Sequence, residues 1–196
     1  VIRNEDILNE IDKHRDELAL VLFSGVNYYT GQVFDIKTIT EAAHNIGAIA
    51  GFDLAHAAGN IPLQLHDWNV DFSCWCSYKY LNSRPGGMGG VYIHEKFHGD
   101  KNVQRFGGWW GYDKSTRFKM EKGFKPISTA EGWQLSTPSL LLYASHKAAL
   151  QIFEEAGWEN LQTKQRSLNN YLWLVLDELN RTPGKEMVEF ITPANE

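Results

Sequence analysis

Cysteine, positive charge and long apolar runs are all scarce in this sequence, and each shortage removes a class of function. Its 196 residues include two cysteines, Cys74 and Cys76, two apart in one apolar stretch. Residues so spaced on a strand face the same side. A disulfide between them has poor geometry, and a metal site needs further ligands nearby. The pair is expected to be small buried residues of a core strand. Basic residues are outnumbered, 19 Lys and Arg against 24 Asp and Glu, for a net charge of −5. That balance argues against a nucleic-acid partner. No apolar run approaches the roughly 20 residues that cross a bilayer, and nothing resembles a signal peptide. A soluble, cytoplasmic protein that makes no membrane contact is expected. The sequence contains no internal repeat and no low-complexity segment. It begins at Val1 rather than Met, and it ends shortly after a strand-like run, Met187 to Ile191. It reads as a segment cut from a longer protein, with both ends inside folded structure.

Apolar and aromatic residues are plentiful, 43 % and 13 % of the chain, with seven tryptophans. That is enough for a real core and argues against disorder. The length fits one domain, or one domain and part of another. Ile7, Leu8, Ile11 and Leu18 predict a helix from Asp6 to about Leu18, with Asn4 as its cap. The continuous apolar run 18–23, bounded by Ser24-Gly25, suits a strand covered on both faces, as in parallel sheets. Thr38-Ile39-Thr40-Glu41 reads as a capping box with Thr38 as the cap, opening a helix through Ile46 that Gly47 closes. A strand over 48–53 follows, then one running to Lys79, then one over 90–94. The link before the last strand is too short for a helical crossover, so that strand runs antiparallel.

The fold class predicted is therefore α/β, a mostly parallel sheet with helices on both faces and one reversed strand. Residues 99–136 are aromatic, glycine-rich and without clear period, and a loop of that length in a compact domain points to function. A helix capped by Thr137, with Pro138 in its first turn, runs to Gly157. Leu141, Ala144, Ala148 and Ile152 mark its apolar face. A second helix runs from Glu159 to about Leu179. The division expected is residues 1–150 as part of a large domain, and 151–196 as connecting helices and the start of a small C-terminal domain.

Ligands of open α/β sheets bind beyond the carboxyl ends of the strands. Ser24, Asp53 and Lys79 all fall at such ends. A lysine can form a Schiff base with the aldehyde of pyridoxal phosphate, and an aspartate can hold its pyridinium nitrogen protonated. His56, three residues after Asp53, shares its face if the turn is helical. A metal reading of Asp53 and His56 lacks a third and fourth ligand. Tyr78 either packs in the core or, where the strand end curves, brings its hydroxyl to a phosphate. Gly86-Gly87-Met88-Gly89-Gly90 lacks the lysine and the spacing of a phosphate loop and reads as a tight strand connection. Trp109 and Trp110, flanked by glycines, read as an exposed, shaped element.

Longer blocks carry a resemblance. Gly51-Phe52-Asp53-Leu54-Ala55-His56-Ala57-Ala58-Gly59-Asn60, then Leu65-His66-Asp67-Trp68-Asn69-Val70-Asp71-Phe72, then Trp75-Cys76-Ser77-Tyr78-Lys79-Tyr80-Leu81-Asn82 closely resemble the kynureninases. Val26 to Phe34 upstream, and Gly108-Trp109-Trp110-Gly111 and Ser115 to Met120 downstream, extend the likeness over nearly the whole chain. The resemblance implies the aspartate aminotransferase fold (fold type I) and pyridoxal 5'-phosphate as cofactor. It implies hydrolysis of the Cβ–Cγ bond of kynurenine or 3-hydroxykynurenine to alanine and anthranilate or 3-hydroxyanthranilate, in tryptophan catabolism and NAD biosynthesis. By the same resemblance Lys79 is the Schiff-base lysine and acid/base, Asp53 the partner of the pyridinium nitrogen, and His56 its support. Tyr78 is a proton donor and, with Ser24, contacts the phosphate region. Trp109 and Thr137 reach the phosphate of the neighbouring subunit in a homodimer with shared sites, and Trp110 and Ser136 line the substrate pocket.

Some positions depart from that pattern. Ser83-Arg84-Pro85 stands where small residues are expected, and Tyr112 where histidine is frequent. Thr137 stands where eukaryotic-type members often carry asparagine. The last two leave the choice between the two substrates open. The resemblance also puts the cofactor-stacking aromatic and the main phosphate loop N-terminal to this segment, and the arginine for the substrate carboxylate C-terminal to it. The chain alone is thus expected not to complete a site. Two alternatives stand beside this reading: another fold type I enzyme, such as a cysteine desulfurase or an aminotransferase, and a truncated, inactive subunit that only dimerises.

Overall fold

The computed structural model describes residues 2–181 and 188–193. Helix α1 spans Asn4–Lys13, strand β1 Leu20–Ser24, helix α2 Ile36–Asn45 and strand β2 Ile49–Asp53. Strands β3, Phe72–Cys76, and β4, Gly89–Ile93, complete a four-stranded sheet in the order β1-β2-β3-β4. Strands β1, β2 and β3 are parallel and β4 is antiparallel to β3, the arrangement expected from the short β3–β4 link. Helices α3, Leu140–Ala156, and α4, Trp158–Asn180, pack on each other. None of the described helices is long and apolar enough to cross a membrane.

Helix boundaries depart from the sequence reading for identifiable reasons. Asn4 is the first helical residue of α1, not its cap, and the helix stops at Lys13. Only Ile7 and Ile11 of its stripe are buried, so nothing holds the helical period as far as Leu18. Asp35, not Thr38, caps α2. Its carboxylate accepts the Thr38 N–H at 3.0 Å and the Thr38 hydroxyl at 2.6 Å. A carboxylate at this end also meets the positive end of the helix dipole. Starting the helix earlier puts Ile36 and Ile39 into the core. The chain shows no strand over 188–191, where one was expected; Met187 lies outside the described residues.

The core lies between α1, α2 and one face of the sheet, where Val21, Ala50 and Phe52 meet Ile7, Ile36 and Ile39. The alternate residues Leu20, Leu22, Ile49 and Val91 point the other way and are exposed. Cys74 shares this open face, so it is exposed rather than a buried core residue; both cysteines are free. The apolar faces expected of the last two helices are also largely exposed: Leu141 is 80 % and Ile152 67 % accessible, and Ala149 is the buried residue of α3. The helix pair is held by polar contacts. Ser145 donates to the Ser83 carbonyl, and Gln162 and Gln165 donate to the backbone and side-chain oxygens of Asn60.

A buried carboxylate joins the sheet to its surroundings. The Asp71 side chain is 1 % exposed. It accepts the Ala50 N–H of β2 at 2.6 Å, approaches Nε2 of His44 on α2 at 2.8 Å, and pairs with Lys96 Nζ beyond β4 at 2.5 Å.

Candidate active site

Parallel register puts the ends of β1 and β2 side by side. Ser24 pairs laterally with Asp53, and Asp53 with Cys74 of β3. Asp53 then enters a turn in which its Oδ1 accepts the Ala55 N–H at 2.8 Å. Among the described residues, no donor reaches its other oxygen. His56 sits on the same turn, its ring 6.4 Å from that of Tyr28 and 6.1 Å from that of Tyr80. Burial, with the neighbouring Lys79 ammonium second, pushes the His56 imidazolium below its ordinary range, and Asp53 pulls weakly the other way. The neutral ring is thereby favoured.

The strand expected to run to Lys79 ends earlier, and Lys79 lies three residues past the end of β3. The chain turns there because two fully buried hydroxyls clasp its base. Ser77 Oγ lies 2.5 Å from Ser83 Oγ, and the Ser83 N–H donates to the Ser77 carbonyl at 3.0 Å. Ser77 also ties the turn to the start of β4, through its N–H and its hydroxyl to the Met88 carbonyl. Tyr78, half-exposed, has its ring centroid 5.6 Å from Lys79 Nζ.

Ser24, Asn27, Tyr28, Asp53, His56 and Lys79 line one open cleft of about 480 Å³. Asn27 and Tyr28 were not singled out in the sequence. Their signal was available: Asn27 Oδ1 accepts the N–H groups of Tyr29 and Thr30, and Gly31 follows at φ 71°. Asn-x-x-x-Gly after a strand end marks a chain reversal beside Ser24. A larger cavity of about 650 Å³, lined by Gln104, Arg105, Phe106, Trp133 and Leu135, offers no nucleophile or general base. Among the described residues no cluster of three or more His, Cys, Asp or Glu could hold a metal ion.

The other sequence-predicted residues lie outside that cleft. Gly108 and Gly111 press against the backbone of Gln134 and its neighbours, where a Cβ would collide, and the Gly111 N–H donates to the Gln134 carbonyl at 2.9 Å. Trp109-Trp110 is thereby held beside the segment leading to Ser136-Thr137. None of these four lines the Lys79 cleft; Ser136 lines a separate one with Gly89, Gly90 and Val91. Thr137 does not cap α3. Ser139 occupies the cap position in extended conformation, φ −69° and ψ 119°, so the first turn starts two residues later than the sequence implied.

Residues 3–188 match the family model described as aminotransferase class-V. The chain belongs to the class-V aminotransferase family. Within that family the resemblance to kynureninases runs along the whole chain. It is 56 % identical to a kynureninase of Flavobacterium psychrophilum, covering 100 % of this chain and 46 % of that protein. It is 46 % identical to a kynureninase of Nematostella vectensis, covering 99 % and 43 %. The chain thus spans less than half the length of the curated relatives it matches.

Solved structures superpose well on the chain. A cysteine desulfurase of Thermococcus onnurineus gives a TM-score of 0.69 at 23 % identity, over 88 % of this chain and 42 % of that one. An alanine–glyoxylate aminotransferase of Nostoc gives 0.63 at 21 %, over 90 % and 45 %. At such identities the likeness carries the fold alone: a mixed α/β sheet with helices, as in the large domain of fold type I enzymes.

Proposed function

We propose that this chain carries the lysine part of a pyridoxal 5'-phosphate site and that the protein containing it is a kynureninase. The observation that carries the reading is the convergence of Lys79, Asp53, His56 and Ser24 on one cleft at the carboxyl ends of β1–β3. The donor set suits the cofactor. Lys79 has no carboxylate partner among the described residues, and one oxygen of Asp53 is free to accept a pyridinium N–H. A neutral His56 can lie against a ring without placing a second cation beside it. When bound, pyridoxal phosphate supplies an electron sink for a carbanion at the substrate Cα.

The chain's own residues then do the following. Lys79 anchors the cofactor and, once freed, moves the proton at Cα. Asp53 stabilises the protonated ring nitrogen by opposite charge. Tyr78, whose ring stands beside Lys79, donates its hydroxyl proton as water adds to the γ-carbonyl and the Cβ–Cγ bond breaks. Cβ gains a proton and leaves as the methyl of alanine; the acyl carbon leaves as the carboxylate of anthranilate or its 3-hydroxy form. Trp109 and Thr137 serve the phosphate of the neighbouring subunit's site, with Trp110 and Ser136 at the substrate. Their separation from the Lys79 cleft in this chain supports a homodimer with shared sites. Residues 1–150 belong to the large domain, and 151–196 lead to the small one.

The test is a visible spectrum of the intact protein with pyridoxal phosphate, before and after borohydride, followed by peptide mapping and product analysis with kynurenine. A reduced adduct on Lys79, with alanine and anthranilate in equal amounts, is expected. An adduct elsewhere overturns the site assignment. A Lys79 adduct with a keto acid or a persulfide product keeps the cofactor and overturns the kynureninase reading.

A further inference from the structure

We infer that Arg117 is the positioning residue that sets the Trp109–Trp110 pair in place. The inference deepens the proposed function and takes its catalytic meaning from it. Arg117 Nη2 donates to the carbonyls of Trp110 at 2.8 Å and Tyr112 at 3.0 Å, closing residues 110–117 into a turn. Its guanidinium carbon stands 5.6 Å from the ring centroid of Trp109 and 5.2 Å from that of Trp110, both within cation–π reach. One side chain therefore holds the backbone of this aromatic pair and touches both indoles.

The arginine is itself held from below. Its N–H donates to the Asp113 carbonyl at 2.9 Å, and the Asp113 carboxylate is fastened by the Ser115 N–H and hydroxyl at 2.8 and 2.6 Å. Phe118 meets Trp109 edge-on with centroids 5.4 Å apart. Arg117 forms no ion pair among the described residues, so its charge is balanced by carbonyl oxygens and indole faces alone. A half-buried cation without a carboxylate is costly to keep unless its geometry is needed.

The need is specific to arginine. Two adjacent indoles on a glycine-flanked loop have independent rotamers and no sheet or helix to order them. Both side-chain hydrogen bonds of Arg117 come from one nitrogen, Nη2, so what arginine adds over lysine is the flat guanidinium face set against the indoles. Arg117 does not line the Lys79 cleft, so it acts on a ligand through the tryptophans.

The experiment compares the intact protein with its Arg117→Lys and Arg117→Met variants. Near-UV circular dichroism reads the indoles, kinetics with kynurenine separates KM from kcat, and thermal unfolding checks the fold. Arg117→Met is expected to lose much of the indole signal and to raise KM about tenfold, with kcat within about threefold. Arg117→Lys recovers part of both. An unchanged indole signal and KM in Arg117→Met overturns the inference. Complete recovery by Arg117→Lys also overturns it, because charge without the flat guanidinium face then suffices. Should Arg117→Met not fold, Arg117→Lys decides alone: an unchanged indole signal and KM overturn the inference, and a partial loss of both supports it. A wild-type protein inactive on kynurenine overturns the proposed function, and the near-UV comparison then decides the role of Arg117 by itself.

Discussion

Replacing Asp71 probes the fold at the point where three elements share one carboxylate. Asp71→Ala strands the Ala50 N–H inside the sheet, and a buried unpaired donor costs about 1–3 kcal/mol. Loss of the His44 and Lys96 contacts adds about 0.5–1 kcal/mol, kept low because the Lys96 side chain is 38 % exposed and its charge can turn to water. The sum predicts about 1.5–4 kcal/mol of lost stability, or about 3–16 °C in Tm for a domain of this size. Asp71→Asn keeps an acceptor for Ala50 and is expected to cost less.

The pH dependence provides an independent check. Burial pushes the Asp71 carboxyl up, but the Ala50 N–H, Lys96 and His44 together reverse this and leave it below the ordinary range. Its contribution is therefore complete above the unfolded value of about 3.9 and is lost as pH falls through the lower folded value. Urea unfolding of wild type and Asp71→Ala from pH 7 down to the acid limit of the fold measures both. A cost under about 1 kcal/mol at pH 7 refutes the reasoning, as does a gap that fails to narrow in acid.

Four further outcomes are expected. In cofactor-free protein, Lys79→Met raises the His56 titration midpoint measured by NMR, because the Lys79 charge is one of the two causes that depress it; an unmoved midpoint contradicts the proximity of the two groups. Since folding disfavours the His56 imidazolium, that histidine also weakens the fold as pH drops through about 6.5. Arg84 adopts φ 84°, in the left-handed region, so Arg84→Gly is predicted to stabilise the β3–β4 link by about 0.5–1 kcal/mol; an unchanged or lower Tm counts against it. Gly51→Ala drives a methyl into the Phe72 ring on the neighbouring strand, and thermal unfolding should register about 1–3 kcal/mol of overpacking.

Much of the architecture was legible from local pattern. Apolar runs located all four strands, and the short link after Lys79 identified β4 as the reversed one. Ser24 and Asp53 were correctly assigned to strand ends. Boundaries were less legible because competing local bonds decide them. Asp35 offered a better cap than Thr38, and the Ser77–Ser83 clasp ended β3 before Lys79. The buried Asp71 network was invisible, since its partners at positions 44, 50 and 96 have no pattern in sequence.

The sequence by itself determined the positions and directions of the strands, the chemistry available at their ends, and the kynureninase resemblance along the whole chain. Those properties follow from residue type and spacing along one dimension. The tertiary structure alone decided that Asn27 and Tyr28 join Asp53, His56 and Lys79 on one cleft. It also decided that Trp109, Trp110, Ser136 and Thr137 lie outside that cleft, and that one face of the sheet, with Leu20, Leu22 and Cys74, is exposed. Each of these is a contact, or a missing contact, between residues distant in the chain. Packing and register create such contacts, and no local periodicity encodes them.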